Sequence, residues 1–280
     1  MTKIVDGKLL AQDIANQLKA QVDMLKQREI IPKLVIVGIS PDSRSHVYIN
    51  MKLKRAKEVG IQASFVDLSG KSRSECIYKV TELSNDPRIH GIVIQLPLAG
   101  WYDPQDLIDY IDPQKDVDGL TSTNQSALED NKPGLRPATP LAVMEILNKH
   151  NVELKDKTVT IVGRSHLVGI PLRYLLENAG AKVLVGHRQT KELKSLTLKS
   201  DIVVSAAGSP GLITGDIVKR NVIVIDVGIN DVDGKLRGDV DFDAVAPKAS
   251  IITPVPGGVG PLTVIMLLSN VVEVAKNIDK

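Results

Sequence analysis

Apolar positions along this chain alternate between a helical rhythm and short unbroken runs. From Lys8 to Gln27, Leu10, Ile14, Leu18, Val22 and Leu25 recur at a spacing that lines one face of a helix. After Pro32, Leu34 to Val37 form a continuous β-branched and aliphatic run ending at Gly38, as in a strand buried on both faces. A polar loop, Ser40 to Ser43, leads into a second helix stopped by Gly60. A strand from Ala63 to Asp67 follows, then a helix opened by Ser72-x-x-Glu75, the spacing of a capping box. Gly91-Ile-Val-Ile-Gln-Leu96 reads as the next strand. Repeated strand-to-helix alternation of this length predicts a parallel α/β sheet, whose ligands gather beyond the carboxyl ends of its strands.

Thr121 to Pro137 lacks hydrophobic periodicity and predicts a connection between two domains, residues 1–120 with 264–280, and residues 138–263. Thr139-Pro140 then opens a helix, with Thr139 as N-cap and Pro140 first. Val159 to Val162 is a buried strand that breaks at Gly163. The helical segment after it uses Leu167, Leu172, Leu175 and Leu176 as apolar contacts and stops at Gly180, before a strand from Lys182 to Gly186. Such a βαβ unit, with a glycine turn under a helix N-terminus, is a natural phosphate site. Further strands cover Asp201 to Ser205 and Asn221 to Val227, and Asp233-Gly234 marks a hairpin turn. Ile251 to Pro261 is a glycine-proline loop before a closing apolar helix that should pack on a domain.

A length of 280 residues is enough for one large or two moderate domains. The net charge is +2, with acids and bases interspersed, so no basic block points to nucleic acid or a membrane surface. With one Trp and two Phe, the core must be built from Val, Ile, Leu and Ala. A lone cysteine, Cys76, forms no intramolecular disulfide, and without a Cys/His cluster there is no structural zinc pattern. No signal-peptide pattern opens the chain, and the apolar stretch Leu262 to Ala275, interrupted by Ser269, Asn270 and Glu273, reads as too short for a bilayer span. A soluble cytoplasmic protein without a metal is the expectation.

Candidate chemistry sits where strands end. Tyr48 and Lys52, four apart on a helix, share one face. That spacing suits a phenol beside a basic lysine, and equally a surface lysine near a half-buried tyrosine. Gln95, followed by Leu96-Pro97, either faces a ligand or satisfies loop backbone. Ile111 to Gly119 is an acidic turn in which Asp116 can cap backbone N–H groups. The turn from Gly163 to Gly169 lacks the full G-x-G-x-x-G fingerprint. Where an NAD site would carry an acid after its second strand, this chain has His187-Arg188-Gln189-Thr190; Arg188 suits the 2′-phosphate of NADP, or is a solvated loop charge.

Taken together, Tyr48-x-x-x-Lys52, Gln95-Leu-Pro-Leu, Lys115-Asp-Val-Asp118-Gly, Arg136-Pro-Ala-Thr-Pro140, Gly163-Arg-Ser-His-Leu-Val-Gly-x-Pro171, Ile225-Asp-Val-Gly-Ile-Asn230 and Thr253-Pro-Val-Pro-Gly-Gly-Val-Gly-Pro-Leu-Thr263 span nearly the whole chain in order. In these motifs the chain resembles the bifunctional methylenetetrahydrofolate dehydrogenase/methenyltetrahydrofolate cyclohydrolases. The resemblance implies two α/β domains around a cleft, the second a Rossmann-like parallel-sheet nucleotide-binding domain, and a homodimer. It implies a small-molecule folate substrate and NADP as cofactor. Lys52 becomes the catalytic lysine, with Tyr48 packing on the folate, Gln95 holding Lys52 and Asp118 binding the pterin. Gly163, Arg164, Ser165, Arg188 and Ile229 become the NADP site, and Pro256, Gly257 and Gly258 border the folate. Arg188 stands where serine is common in the family, His166 where asparagine is, and Ala138 where cysteine is; the Gly38–Tyr48 loop is slightly longer than usual, and Leu98-Ala99 lacks a common second proline.

Two rivals are a short-chain dehydrogenase using Tyr48 and Lys52, and a non-catalytic dinucleotide-binding regulator. In the first, the Tyr-Lys pair follows the glycine turn, whereas here it precedes it by about a hundred residues. The second would have no need of Lys52, Gln95 and Asp118 together.

Overall fold

The structure, a computed structural model, describes residues 2–100 and 103–277. Residues 1, 101, 102 and 278–280, which fall inside the expected domain limits, lie outside the described residues. In chain order the elements are β1 (Lys3–Ile4), α1 (Gly7–Gln27), β2 (Lys33–Gly38), α2 (Ser43–Val59), β3 (Gln62–Asp67), α3 (Arg73–Asn85), β4 (Gly91–Ile94), α4 (Gln105–Ile108), α5 (Ser122–Glu129), α6 (Ala138–Lys149), β5 (Thr158–Val162), α7 (Gly169–Asn178), β6 (Lys182–Gly186), α8 (Leu193–Lys199), β7 (Ile202–Ser205), β8 (Val222–Asp226), β9 (Asn230–Val232), β10 (Lys235–Arg237), α9 (Phe242–Val245), β11 (Ala249–Ile252) and α10 (Val259–Lys276).

They form two compact units. One comprises residues 12–138 and 264–280, the other residues 1–11 and 139–263. The first eleven residues thus group with the second half of the chain, unlike the sequence-based limits. The reason is pairing: β1 lies parallel to β11, with Lys3 opposite Ile251, and the Gly7 N–H donates to the Gly257 carbonyl at 2.9 Å. Residues 121–137 also differ from the expected bare connection. They contain α5, whose first turn is capped by the Thr121 side chain and which buries Asn124 and Leu128. Eight residues make about two turns, too few for a periodic apolar signal.

The three-stranded unit is a parallel sheet of order β3-β2-β4. Leu34 to Val37 of central β2 are buried, as a strand covered on both faces must be. Val35, Val37, Ile92 and Ile94 pack with Cys76, Val80 and Leu83 of α3, which places Cys76 in the core. The predicted face of α1 is buried at Ile14, Leu18, Val22 and Leu25. β4 ends at Ile94, so Gln95 and Leu96 lie just past the strand instead of inside it.

The closing helix runs longer than the apolar stretch expected from sequence, and by length and composition alone α10 would reach across a bilayer. Its apolar residues are committed elsewhere: Ile265, Leu267, Leu268, Val271, Val272 and Ala275 are buried within the protein. Buried Asn270 donates from Nδ2 to the carbonyls of Val117 at 2.9 Å and Arg136 at 3.0 Å.

The six-stranded unit has the order β1-β11-β8-β7-β5-β6 and is parallel throughout. β6 adds to one side of β5 through α7, and β7 then adds to the other side through α8. The winding therefore reverses between β5 and β7, the place where such sheets open a ligand crevice. β9 and β10 pair antiparallel around Asp233 and Gly234, both at positive φ (53° and 75°), as a two-residue hairpin turn requires. Two local expectations shift. α7 begins at Gly169, leaving Leu167 exposed outside it while Leu172 and Leu176 are buried. α6 begins at Ala138, so Thr139 and Pro140 lie within its first turn, where proline's missing N–H costs nothing.

Replacing Asn270 by Ala would leave two carbonyls without their donor. We expect Asn270→Ala to lower unfolding free energy by about 2–3 kcal/mol in a urea titration; a loss within about 0.5 kcal/mol would mean that these bonds are dispensable.

Candidate active site

In the three-stranded unit, chemistry-bearing side chains converge at the carboxyl ends of β2 and β4. Asp42 accepts from the Ser45 N–H at 2.8 Å and fixes the start of α2, the helix that follows β2. α2 carries Tyr48 and Lys52 one turn apart. Gln95 is held one residue beyond β4 because its own N–H donates to the Val37 carbonyl at 2.8 Å. Its side chain is 8% exposed, and its two ends are used differently. Nε2 donates to the Leu96 carbonyl at 2.9 Å, which leaves Oε1 to accept from Lys52 Nζ at 3.0 Å.

Burial lowers the pKa of Lys52, and the nearby Asp118 carboxylate opposes that shift. Asp118 is pushed the other way: burial raises its pKa, Lys52 pulls it down, and Asp116 pushes it up. Gln95 brings an amide dipole and no charge, so it can bind the amine without forcing it to stay protonated. Tyr48 is 39% exposed and presents its ring at the surface of this unit.

The loop carrying Asp118 is anchored by its neighbours. Asp116 forms an isolated parallel bridge with Ile92 of β4. Its Oδ2 accepts from the Thr121 N–H at 2.7 Å and from Asn124 Nδ2 at 2.9 Å. Asp116 therefore does the backbone capping read from its turn, and Asp118 is the acid left to face Lys52.

In the six-stranded unit, a cavity of about 290 Å³ opens at the reversal between β5 and β7, lined by Gly163, Arg164, Ser165, His187, Arg188, Gln189, Ala206 and Ala207. Gly163 has φ 139° and a Cβ there would overlap the Ala206 carbonyl; a Cβ at Gly169 would overlap the Gly163 carbonyl. These contacts explain both glycines without the missing middle one: the turn and the start of α7 are packed backbone to backbone. Such a cradle of main chain with Arg164 and Arg188 at its edge fits a phosphate-bearing group such as NADP.

Three predicted NADP-site residues in the turn, together with Arg188, thus line one cavity. Ile229 does not; it is exposed just past β8. Pro256, Gly257 and Gly258 belong to the six-stranded unit, on the loop that leads into α10. Sequence reading missed His187, Gln189, Ala206 and Ala207 as lining residues. The signal was available for the last two, since they directly follow β7, the strand on the reversing side of β5. Among the described residues, no group of three or more His, Cys, Asp or Glu side chains is placed to hold a metal ion.

Residues 5–118 match the catalytic domain of the tetrahydrofolate dehydrogenase/cyclohydrolases, and residues 137–279 match the NAD(P)-binding domain of the same family. A bifunctional protein FolD from Nautilia profundicola is 44% identical over 279 residues, covering 99% of this chain and 98% of that one. The crystal structure of the bifunctional FolD dehydrogenase/cyclohydrolase from Campylobacter jejuni superposes with a TM-score of 0.97 at 39% identity, covering 99% of each chain. That of the Trypanosoma brucei enzyme, complexed with NADP cofactor and inhibitor, does so at 0.93 and 36% identity, covering 98% of this chain and 97% of the other. With both domain matches in family order and similarity running end to end, the chain belongs to the tetrahydrofolate dehydrogenase/cyclohydrolase family.

Proposed function

We infer that this chain is a bifunctional enzyme of one-carbon metabolism. It oxidises 5,10-methylenetetrahydrofolate to 5,10-methenyltetrahydrofolate with NADP and then hydrolyses that product to 10-formyltetrahydrofolate. The observation that carries the residue assignments is the part-buried Lys52 Nζ to Gln95 Oε1 hydrogen bond at 3.0 Å.

The two steps ask different things of the protein. Loss of hydride from the N–CH2–N carbon leaves a cation shared by both nitrogens, so the oxidation needs alignment and no dedicated base. When bound, NADP supplies the hydride acceptor. Gly163, Arg164 and Ser165 hold its phosphates through the turn before α7, Arg188 meets the 2′-phosphate, and Ile229 packs on the cofactor. Water addition to the methenyl carbon and opening of the ring require protons to move. Lys52, its pKa lowered by burial, takes the proton from water as a neutral amine. Gln95 Oε1 fixes the amine's direction, Tyr48 stacks on the folate and helps to place Lys52, and Asp118 accepts hydrogen bonds from the pterin. Pro256, Gly257 and Gly258 border the folate.

A homodimer in the cytoplasm completes this reading, on the strength of family membership. The short-chain dehydrogenase alternative loses its basis, because Tyr48 and Lys52 lie on a different unit from the glycine turn. The regulator alternative leaves the lysine–glutamine pair without a purpose.

Lys52→Met should lower the hydrolytic rate by roughly 10²–10⁴-fold while NADP reduction stays measurable. Survival of both activities would remove Lys52 from the mechanism. The hydrolytic rate should rise with pH through an inflection below 10.5, because burial favours the neutral amine. The Asp118 carboxylate stabilises the ammonium form, so Asp118→Asn should move that inflection to lower pH; a shift upward would contradict the charge coupling. Arg188→Ser should raise the KM for NADP by about 10–100-fold, the value of one charge-assisted contact, and leave the KM for NAD nearly unchanged. Equal effects on both cofactors would place Arg188 away from the 2′-phosphate.

A further inference from the structure

Behind the wall of the β5–β7 cavity lies a pair of buried carboxylates that neither chemical step uses. Asp239 is fully buried. Its Oδ2 accepts from Ser205 Oγ at 3.0 Å and from the N–H groups of Ala207 at 2.7 Å and Gly208 at 3.2 Å. Its Oδ1 accepts from the Ser209 N–H at 2.7 Å and from Asn230 Nδ2 at 3.0 Å. Asp226, at the end of β8, is nearly as buried and holds the backbone of Asp239 in turn. Its Oδ1 accepts from the N–H groups of Gly228 at 3.0 Å and Asp239 at 3.1 Å, and its Oδ2 from that of Val240 at 2.9 Å. The Asp226 N–H donates to Thr253 Oγ1 at 2.7 Å.

Three successive main-chain N–H groups, those of Ala207, Gly208 and Ser209, therefore turn inward onto one carboxylate. Such a run of N–H groups is a nest for an anion, and here the protein supplies the anion itself. Ala206 and Ala207 line the cavity, and the Ala206 carbonyl is the atom that excludes a side chain at Gly163. The same carboxylate holds Asn230, the residue after Ile229. Close approach is built in on the other side as well, since a Cβ at Gly228 would overlap the Asp239 carboxylate. Burying an acid among neutral donors is costly, and burial chiefly, with the neighbouring Asp239 charge, pushes Asp226 up to about 6. That cost brings no gain in the three-stranded unit, where Lys52 lies. The pair's hydrogen bonds fall on the loop beyond β7, on the segment between β8 and β9, on Asp239 and Val240 before α9, and on Thr253 after β11.

We propose that Asp239 is a positioning residue for NADP: by gathering the Ala207, Gly208 and Ser209 N–H groups and Asn230, it sets the shape of the cavity wall that the dinucleotide packs against. The proposal rests on NADP binding at this cavity, and wild-type protein serves as the control for that reading. Asp239→Asn keeps the volume but presents an NH2 group where N–H and O–H donors now converge. Calorimetric titration with NADP should show its Kd raised by at least about 10-fold, with KM for NADP following it and kcat at saturating NADP within about 2-fold of wild type. Hydrolysis of methenyltetrahydrofolate supplied directly should persist.

Val245→Ala, a buried change on α9 at a residue that does not line the cavity, provides a variant whose thermal stability is also reduced. If NADP affinity falls equally in both variants, or stays within about 2-fold of wild type in Asp239→Asn, the positioning role is overturned. If wild-type protein itself fails to bind NADP, the parent reading falls instead. Amide hydrogen exchange of the wild-type protein without NADP tests the same point where Asp239→Asn does not fold. Ala207, Gly208 and Ser209 should exchange at least ~100-fold more slowly than an open chain, although they lie in a loop. Exchange at open-chain rates would overturn the proposal.

Discussion

In the proposed role of Lys52 as a base, the amine must be kept from its preference for charge, and this constraint falls on the three-stranded unit. The unit meets it by burying Nζ and pairing it with the carbonyl oxygen of an amide. An amide accepts a hydrogen bond from either form of the amine, whereas a carboxylate in the same place would hold the proton on. Gln95 can do this because it falls one residue beyond a buried strand, with Nε2 already committed to the Leu96 carbonyl. Asp118 then tempers the shift, and its loop is fixed by the Asp116 hydrogen bonds and by Asn270 of the closing helix. The amine is thus tuned by groups drawn from four separate stretches of the chain.

The six-stranded unit solves a different problem, which is how to bring backbone close to a phosphate-bearing ligand. Its answer is topological. The sheet reverses its winding between β5 and β7, and the segment after β5 is packed too tightly, against the Ala206 carbonyl beyond β7 and against its own backbone, to carry side chains at Gly163 and Gly169. Loop backbone at such a place needs partners for its N–H groups. Asp239 supplies them from within, and so converts an irregular segment into a fixed wall.

Most of the fold was legible in the sequence because its strands are short apolar runs and its long helices have one apolar face. Ile14, Leu18, Val22 and Leu25 on α1 show this directly. What escaped is what periodicity cannot encode. β1 is two residues long and belongs with β11, a partner some 250 residues away, so nothing local assigns the first eleven residues to the second half. Helix α5 is held by caps and by Asn124, a polar core residue, and carries no apolar stripe. Leu167 looked like a helix contact on spacing and lies in the turn before the helix. At the site, motif order brought Lys52, Gln95 and Asp118 forward; a hydrogen bond joins Lys52 to Gln95, and the Asp118 charge acts on Lys52. Ala206 and Ala207 contribute backbone, so only their place just after β7 marks them, and the pairing of Asp239 with the loop after β7 joins segments about thirty residues apart.

If Lys52 is an amine held easy to deprotonate, nuclear magnetic resonance can read that state directly. In protein labelled with 15N at its lysine side chains, the Nζ signal that disappears in Lys52→Met identifies the residue, and its chemical shift is then followed against pH. Titration below the ordinary lysine value of 10.5 is expected. Titration at or above that value would show that the buried Gln95 pairing leaves Lys52 charged, and would contradict its assignment as the base.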